Sequence, residues 1–367
     1  MTAMRSLFAA ALGLLAAITQ SPAAGPQPET LYTRPGGTIA AFAQDGPLIS
    51  WLAPKEGRCN RVHVLSLQNG LQVKLPLQGS AHNVTCLWPV VQPVGLAVAS
   101  DTSDVLWTLH DRAPLPFDYL IGAGAGDRRE RRFHEIARTS SGAGLWLGGI
   151  AGDGSTLLYA VTSVDYVDEA GCLAGTGSCA MEITGGGVYR IVGRQPPRYV
   201  PGTGGAVEVA AAEDTVAYVP ATIAKKGQLT SSADEQVSVV DVMDGSVVAR
   251  VTPQGAPLAV ALTHGTLATL ERTTLGVRLA WYETATGHLA GSVSVPVATS
   301  PELSVSDRLA VYRVGRTVHA VNLTTSRDRT VVKTASEPVG LSLEGTRLAW
   351  AENPKSGGRV RALYLKP

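Results

Sequence analysis

Val339-Gly340-Leu341-Ser342-Leu343-Glu344-Gly345-Thr346-Arg347-Leu348-Ala349-Trp350 is the stretch on which the reading of this chain turns. An apolar run meets a tight polar turn at Glu344-Gly345, and a second apolar run follows that ends on an aromatic residue. Glycine tolerates the positive φ of a two-residue hairpin turn, so the stretch predicts two short antiparallel strands. The same unit recurs six times upstream. Its turns fall at Asp45-Gly46, Asp101, Asp153-Gly154, Glu213-Asp214, His264-Gly265 and Ser306-Asp307. Trp51, Trp107, Tyr159, Tyr218, Thr269, Val311 and Trp350 occupy the equivalent place in the second run of each. Their separations, from about 40 to about 60 residues, leave room for four short strands per unit.

The first run of each unit is apolar and rich in small residues, as a strand covered on both faces would be. A third, alternating strand follows, for example Arg61-Val62-His63-Val64-Leu65-Ser66-Leu67 and Val277-Arg278-Leu279-Ala280-Trp281-Tyr282. A fourth follows a glycine turn at Leu71-Gln72-Val73-Lys74-Leu75-Pro76 and at Val247-Val248-Ala249-Arg250-Val251. The seventh unit runs out after its third strand, Arg359-Val360-Arg361-Ala362-Leu363-Tyr364-Leu365. The segment Thr30-Leu31-Tyr32-Thr33-Arg34 precedes the first unit without a partner. Pairing the two closes a ring and covers an exposed edge. The fold class is therefore all-β: a seven-bladed β-propeller of four-stranded antiparallel blades, its ring closed by the N-terminal strand on the last blade. Eight blades or two stacked sandwiches are the alternatives.

Gln44-Asp45-Gly46 with Leu48-Ile49-Ser50-Trp51-Leu52-Ala53, and Leu343 to Trp350, resemble the WD40-like repeat of TolB-type (PD40) propellers, roughly S-P-D-G-x-x-L-A-F/W. The Ser-Pro is missing here, and units five and six lack the aromatic. The resemblance implies a fold. Its members bind proteins, polymers or small molecules, and some are appended to enzymes.

Residues 1–24 predict a secretory signal. Arg5 gives a positive start, Ser6 to Ile18 an apolar run, and Ser21-Pro22-Ala23 the small residues of a cleavage site near Ala23. The apolar run is about 13 residues, short of the roughly 20 a spanning helix needs. The expected domains are thus a signal peptide over 1–24 and a single propeller over 25–367, secreted or held in the periplasm or cell envelope. Four cysteines in an exported chain read as disulfides, and nearest-neighbour pairing gives Cys59–Cys86 and Cys172–Cys179. The chain carries 31 Lys+Arg against 30 Asp+Glu, a net charge of +1, which argues against a nucleic-acid partner.

Catalytic signatures are missing. The seven histidines are scattered, no G-x-S-x-G occurs, and the glycine runs do not lead into helices. No cofactor, metal or catalytic residue is therefore expected. The longest loops, residues 164–186 in the third unit and 221–235 in the fourth, carry the candidate binding residues Asp165, Tyr166, Asp168, Glu169, Lys225 and Lys226. Loops of this length usually have a function or are disordered, and a small disulfide ring lowers the entropy lost on binding; solvated insertions without a role are the alternative. The acidic group is a weaker match to a Ca²⁺ site, because the D-x-D-x-D-G spacing is missing. Arg128-Arg129-Glu130-Arg131-Arg132 reads as a solvated turn on the opposite face. The expected function is non-catalytic binding or scaffolding by a monomer, with a protein or envelope polymer as partner. The alternative is a carbohydrate-active enzyme drawing carboxylates such as Glu208 and Glu302 from different blades into the central opening.

Overall fold

The computed structural model describes residues 27–53, 61–76, 92–110, 117–137, 143–175, 179–224, 228–296 and 302–366. Strand β1 (Glu29–Pro35) comes first and joins the last blade. Blade one is β2 (Ala41–Asp45), β3 (Leu48–Leu52) and β4 (Val62–Ser66). Blade two is β5 (Gln92–Ala99), β6 (Asp104–His110), β7 (Phe117–Gly124) and β8 (Arg131–Ala137). Blade three is β9 (Gly144–Asp153), β10 (Thr156–Tyr166), β11 (Met181–Val192) and β12 (Arg198–Tyr199), with the short helix α1 (Glu169–Ala174) between β10 and β11. Blade four is β13 (Ala206–Ala212), β14 (Thr215–Pro220), β17 (Val237–Asp241) and β18 (Val247–Val251). A separate hairpin, β15 (Thr222–Ile223) with β16 (Leu229–Thr230), is inserted after β14.

Blade five is β19 (Ala256–Leu262), β20 (Thr266–Thr273), β21 (Gly276–Glu283) and β22 (Leu289–Val295). Blade six is β23 (Leu303–Val305), β24 (Leu309–Val314), β25 (Thr317–Asn322) and β26 (Arg327–Lys333). Blade seven is β27 (Pro338–Glu344), β28 (Arg347–Glu352), β29 (Gly357–Tyr364) and, outermost, β1. Thr30 lies opposite Arg361, Tyr32 opposite Val360 and Arg34 opposite Gly358, which is the closure the sequence predicts.

The seven equivalent positions are equivalent in register. Trp51 faces Phe42, Trp107 faces Leu96, Tyr159 faces Ile150 and Tyr218 faces Val209. Thr269 faces Val260, Val311 faces Ser304 and Trp350 faces Leu341. Seven apolar clusters fill the wheel, one at each junction between neighbouring blades, and the junction of blades seven and one is among them. In blade five, where the aromatic is missing, the hydroxyls of Thr269 and Tyr282 each donate to the fully buried Glu271 at 2.7 Å, and Arg278 pairs with it at 2.9 Å. In blade six Tyr312, one residue beyond Val311, stacks on His319 and donates to Asp328.

Three expectations are corrected. The fourth strand of blade one shrinks, among the described residues, to a single bridge between Gln72 and Leu65. The innermost strand of that blade starts at Ala41 rather than Thr38. The amide of Asn353 in blade seven captures both backbone groups of Ile39, at 2.8 Å each, and removes them from the ladder. The basic run is not wholly solvated either. Arg131 binds Asp104 at 2.9 Å and Asp127 at 3.2 Å, and its guanidinium donates to the Gly193 carbonyl of blade three.

Candidate functional site

The innermost strands surround a central channel. Phe42, Leu96, Ile150, Val260, Leu303 and Leu341 border both halves of it and form an apolar waist. The apolar innermost runs are what make that waist. On either side of it the chemistry differs.

The mouth at the hairpin turns is ringed by Asp45, Asp153, Glu213, Asp307 and Glu344, with His264 and Arg308. Most of these acids link one blade to the next. Asp45 accepts from the Ser100 N–H of blade two at 2.6 Å, and Asp153 accepts from the Glu213 N–H of blade four. Glu344 accepts from the Gly46 N–H of blade one at 3.3 Å, and Glu213 reaches His264 of blade five at 3.4 Å. Burial pushes the Asp45 carboxyl up to about 6, against the pull of the Ser100 bonds, with Asp153 and Glu344 repelling its charge. Asp153 is raised by burial as well. The turn acids thus serve as inter-blade hydrogen-bond acceptors.

The opposite mouth opens where the innermost strands begin, into a cavity of about 1020 Å³. Among the described residues its charged groups are Glu208, Glu302 and Arg313, with Thr108, Trp146 and Gln228 beside them. Glu302 is fixed. Arg313 holds it at 3.0 and 3.1 Å, and the Gly340 N–H donates to it as well. Arg313 also pairs with Glu337. Glu208 differs: among the described residues it has neither a hydrogen-bond nor an ion-pair partner. A bulge at Val207 re-aims the strand here, since Ala206 pairs with Pro220 but Glu208 with Val219. Burial alone pushes its carboxyl up to about 7. Gly149 lets blade three close over it, because a Cβ there would lie 3.1 Å from the Glu208 Cα.

The predicted loop residues fall as follows. Asp165 and Tyr166 end β10, which together with β11 runs further into the insertion than a plain loop would. Asp165 accepts from the Thr184 hydroxyl at 2.7 Å. Asp168 caps α1 by accepting from the Gly171 N–H at 2.8 Å, and Glu169 stands exposed in its first turn. Cys172 and Cys179 form a disulfide across the tip. Lys225, Lys226, Cys59 and Cys86 lie outside the described residues. Asp165 and Asp168 therefore have local structural partners, and among the described residues no group of three or more His, Cys, Asp or Glu is arranged to hold a metal ion. Hairpin β15–β16 stands beside β11, so the blade-three and blade-four insertions adjoin. Gln228 and Leu229 of that hairpin reach the Glu208 mouth. Sequence reading singled out Glu208 as a rare carboxylate in an apolar first strand; its lack of a partner was beyond that reading.

These features define a class of fold, the seven-bladed β-propeller of four-stranded antiparallel blades. The β-propeller domain of Cps50 (Swd1) from Myceliophteria thermophila has that likeness at a TM-score of 0.51 and 8% identity, covering 93% of this chain and 100% of its own. The computationally designed Ika8 protein gives 0.47 at 11% identity, with 92% and 98% covered. BamB from Moraxella catarrhalis gives 0.42 at 11%, with 89% and 85% covered. No protein-family model matches the chain, and no curated protein does. At such identities the likeness concerns fold alone.

Proposed function

We propose that this chain is an exported, non-catalytic propeller of the periplasm or cell envelope that binds a protein partner on the face carrying the Glu208 mouth. One observation carries the reading: two insertions from adjoining blades rise on that face, and the one stapled by Cys172–Cys179 presents Val167 and Leu173 to solvent, 61% and 76% exposed. Apolar side chains on a braced tip favour association, because the brace lowers the ordering cost. Asp165, Tyr166 and Glu169 flank them, and Lys225 and Lys226 belong to the neighbouring insertion. The alternative, a carbohydrate-active enzyme, needs two carboxylates free to exchange protons or attack. Glu302 is bound up with Arg313, which favours binding over catalysis.

The test is capture from an envelope extract by the full mature protein and by a variant whose residues 164–183 are replaced by a two-residue turn joining Ser163 to Thr184. Loss of a specific captured protein with the shortened loop is the expected result; equal capture by both overturns the reading. N-terminal sequencing of the exported protein checks the compartment, with a start just after Ala23 expected.

A further inference from the structure

The Glu208 mouth has a chemistry that points to one kind of ligand. Its wall toward the waist is apolar, with Leu96, Ile150, Val260 and Leu303 among the residues there. Glu302 and Glu337 are both spent on the single cation Arg313. That trio retains one net negative charge, and Glu208 adds an acid with no partner among the described residues. This carboxyl is half-buried in the wall of the cavity, and Trp146 borders the same cavity. Leaving such a group without a partner is costly, whereas a cation brought to it recovers both the hydrogen bond and the charge.

We propose that this mouth is a binding site for an extended basic side chain, a lysine or arginine presented by a protein partner, whose aliphatic stem lies on the apolar waist and whose cation pairs with Glu208. The proposal deepens the reading of this face as a partner-binding surface. Long basic side chains combine an apolar stem with a charged head, which matches a cavity apolar at depth and acidic at its wall. A cation near the Trp146 ring gains further attraction. Among the described residues the other charged groups lining the mouth are Glu302 and Arg313; the blade-three strand beside Glu208 contributes Trp146, Gly148 and Gly149, and the inserted hairpin Gln228, none of which titrates in the ordinary range. Binding of a cation therefore draws a proton from Glu208 and strengthens as the pH rises through about 7.

The experiment titrates the mature protein with Nα-acetyl-lysinamide and with Nα-acetyl-norleucinamide, which has the stem without the charge, by ligand-observed NMR. At pH 8 the lysine amide is expected to bind roughly ten-fold or more tightly than its uncharged analogue, and Glu208→Gln to remove that preference. In the unmodified protein the preference should fall by a similar factor at pH 5, which tests the site even if the variant does not fold. Equal binding of the two amides, no binding of the lysine amide, or a preference indifferent to both Glu208→Gln and pH overturns the proposal. Partner capture that survives Glu208→Gln but not loop shortening would retain the docking face while removing the pocket. Lysine-amide binding that depends on Glu208, without any loop-dependent capture, would do the reverse.

Discussion

At the scale of single residues, the carboxylates of this protein behave according to what each is given to bind. Glu271 is fully buried and receives two hydroxyls and a guanidinium. Asp45 receives the Ser100 N–H but sits near two other acids, Asp153 and Glu344, and burial holds its carboxyl up at about 6. Its pKa is thus higher folded than unfolded, where about 3.9 is ordinary. Its favourable contribution is complete below pH 4 and is lost as the pH rises through about 6. Asp45→Asn keeps an acceptor for Ser100 and carries no charge. The variant should match the parent in urea unfolding at pH 4 and exceed it by about 2 kcal/mol at pH 8, allowing for residual water around the group. A stability difference that stays flat or shrinks between those two pH values would contradict this account. Glu208 follows the same logic without a donor. That is why its neighbourhood is a site while the turn acids are ties between blades. Both carboxylates were visible in the sequence; the difference between them depends on neighbours contributed by other blades.

At the scale of elements, the blades fit because small residues stand where one innermost strand crosses the next. Gly152 on β9 illustrates this. A Cβ there would meet the Val98 carbonyl oxygen of β5 at 2.3 Å and its carbon at 2.9 Å, both backbone atoms that cannot rotate away. Gly152→Ala should separate blades two and three and cost about 1–3 kcal/mol. Gly265→Ala, with nothing within 4 Å of the added methyl, should stay within about 0.5 kcal/mol of the parent. Thermal unfolding of the two variants side by side is the check, and equal midpoints would sink the packing argument. Strand order and pairing were legible from the sequence because local alternation and turn glycines encode them, whereas the register was not: the turns fall one residue later than the sequence places them, at Gly46-Pro47 and Gly345-Thr346, which opposes Phe42 to Trp51 and Leu341 to Trp350. Capture of Ile39 by Asn353, and of Arg131 by Asp104 and Asp127, was not legible. Those bonds join residues whose proximity arises only once the ring exists.

At the scale of the whole molecule, closure brings the start of β1 beside the end of β29. Glu29 lies opposite Ala362 on antiparallel strands, so the end of β29 adjoins the start of β1 in the manner of a third-to-fourth-strand turn in any other blade. The seven inter-blade clusters are alike in kind; at the junction of blades seven and one Tyr32 packs on Trp51 with ring centroids 4.4 Å apart, over Phe42, Ala349 and Val360, and Asn353 and Arg347 add side-chain bonds to Ile39 and Gly46. If closure needs only this pairing, the ring can be opened elsewhere in the same manner. A circular permutant joining Lys366 to Gln27 by a short flexible linker, and opened in the turn between Glu283 and Leu289, makes β22 the N-terminal strand. It then closes blade five as β1 closes blade seven, re-forming the Leu279–Val293 and Ala280–Ser292 pairs across the new seam. The permutant is expected to fold as a monomer with a midpoint within about 5 °C of the parent, a shift on the order of 1–2 kcal/mol for a domain of this size. Light scattering and thermal unfolding read both quantities. Aggregation through an unsatisfied β21 edge, or loss of cooperative unfolding, would mean that blade seven supplies something beyond strand pairing, and the equivalence of the seven junctions would then be false.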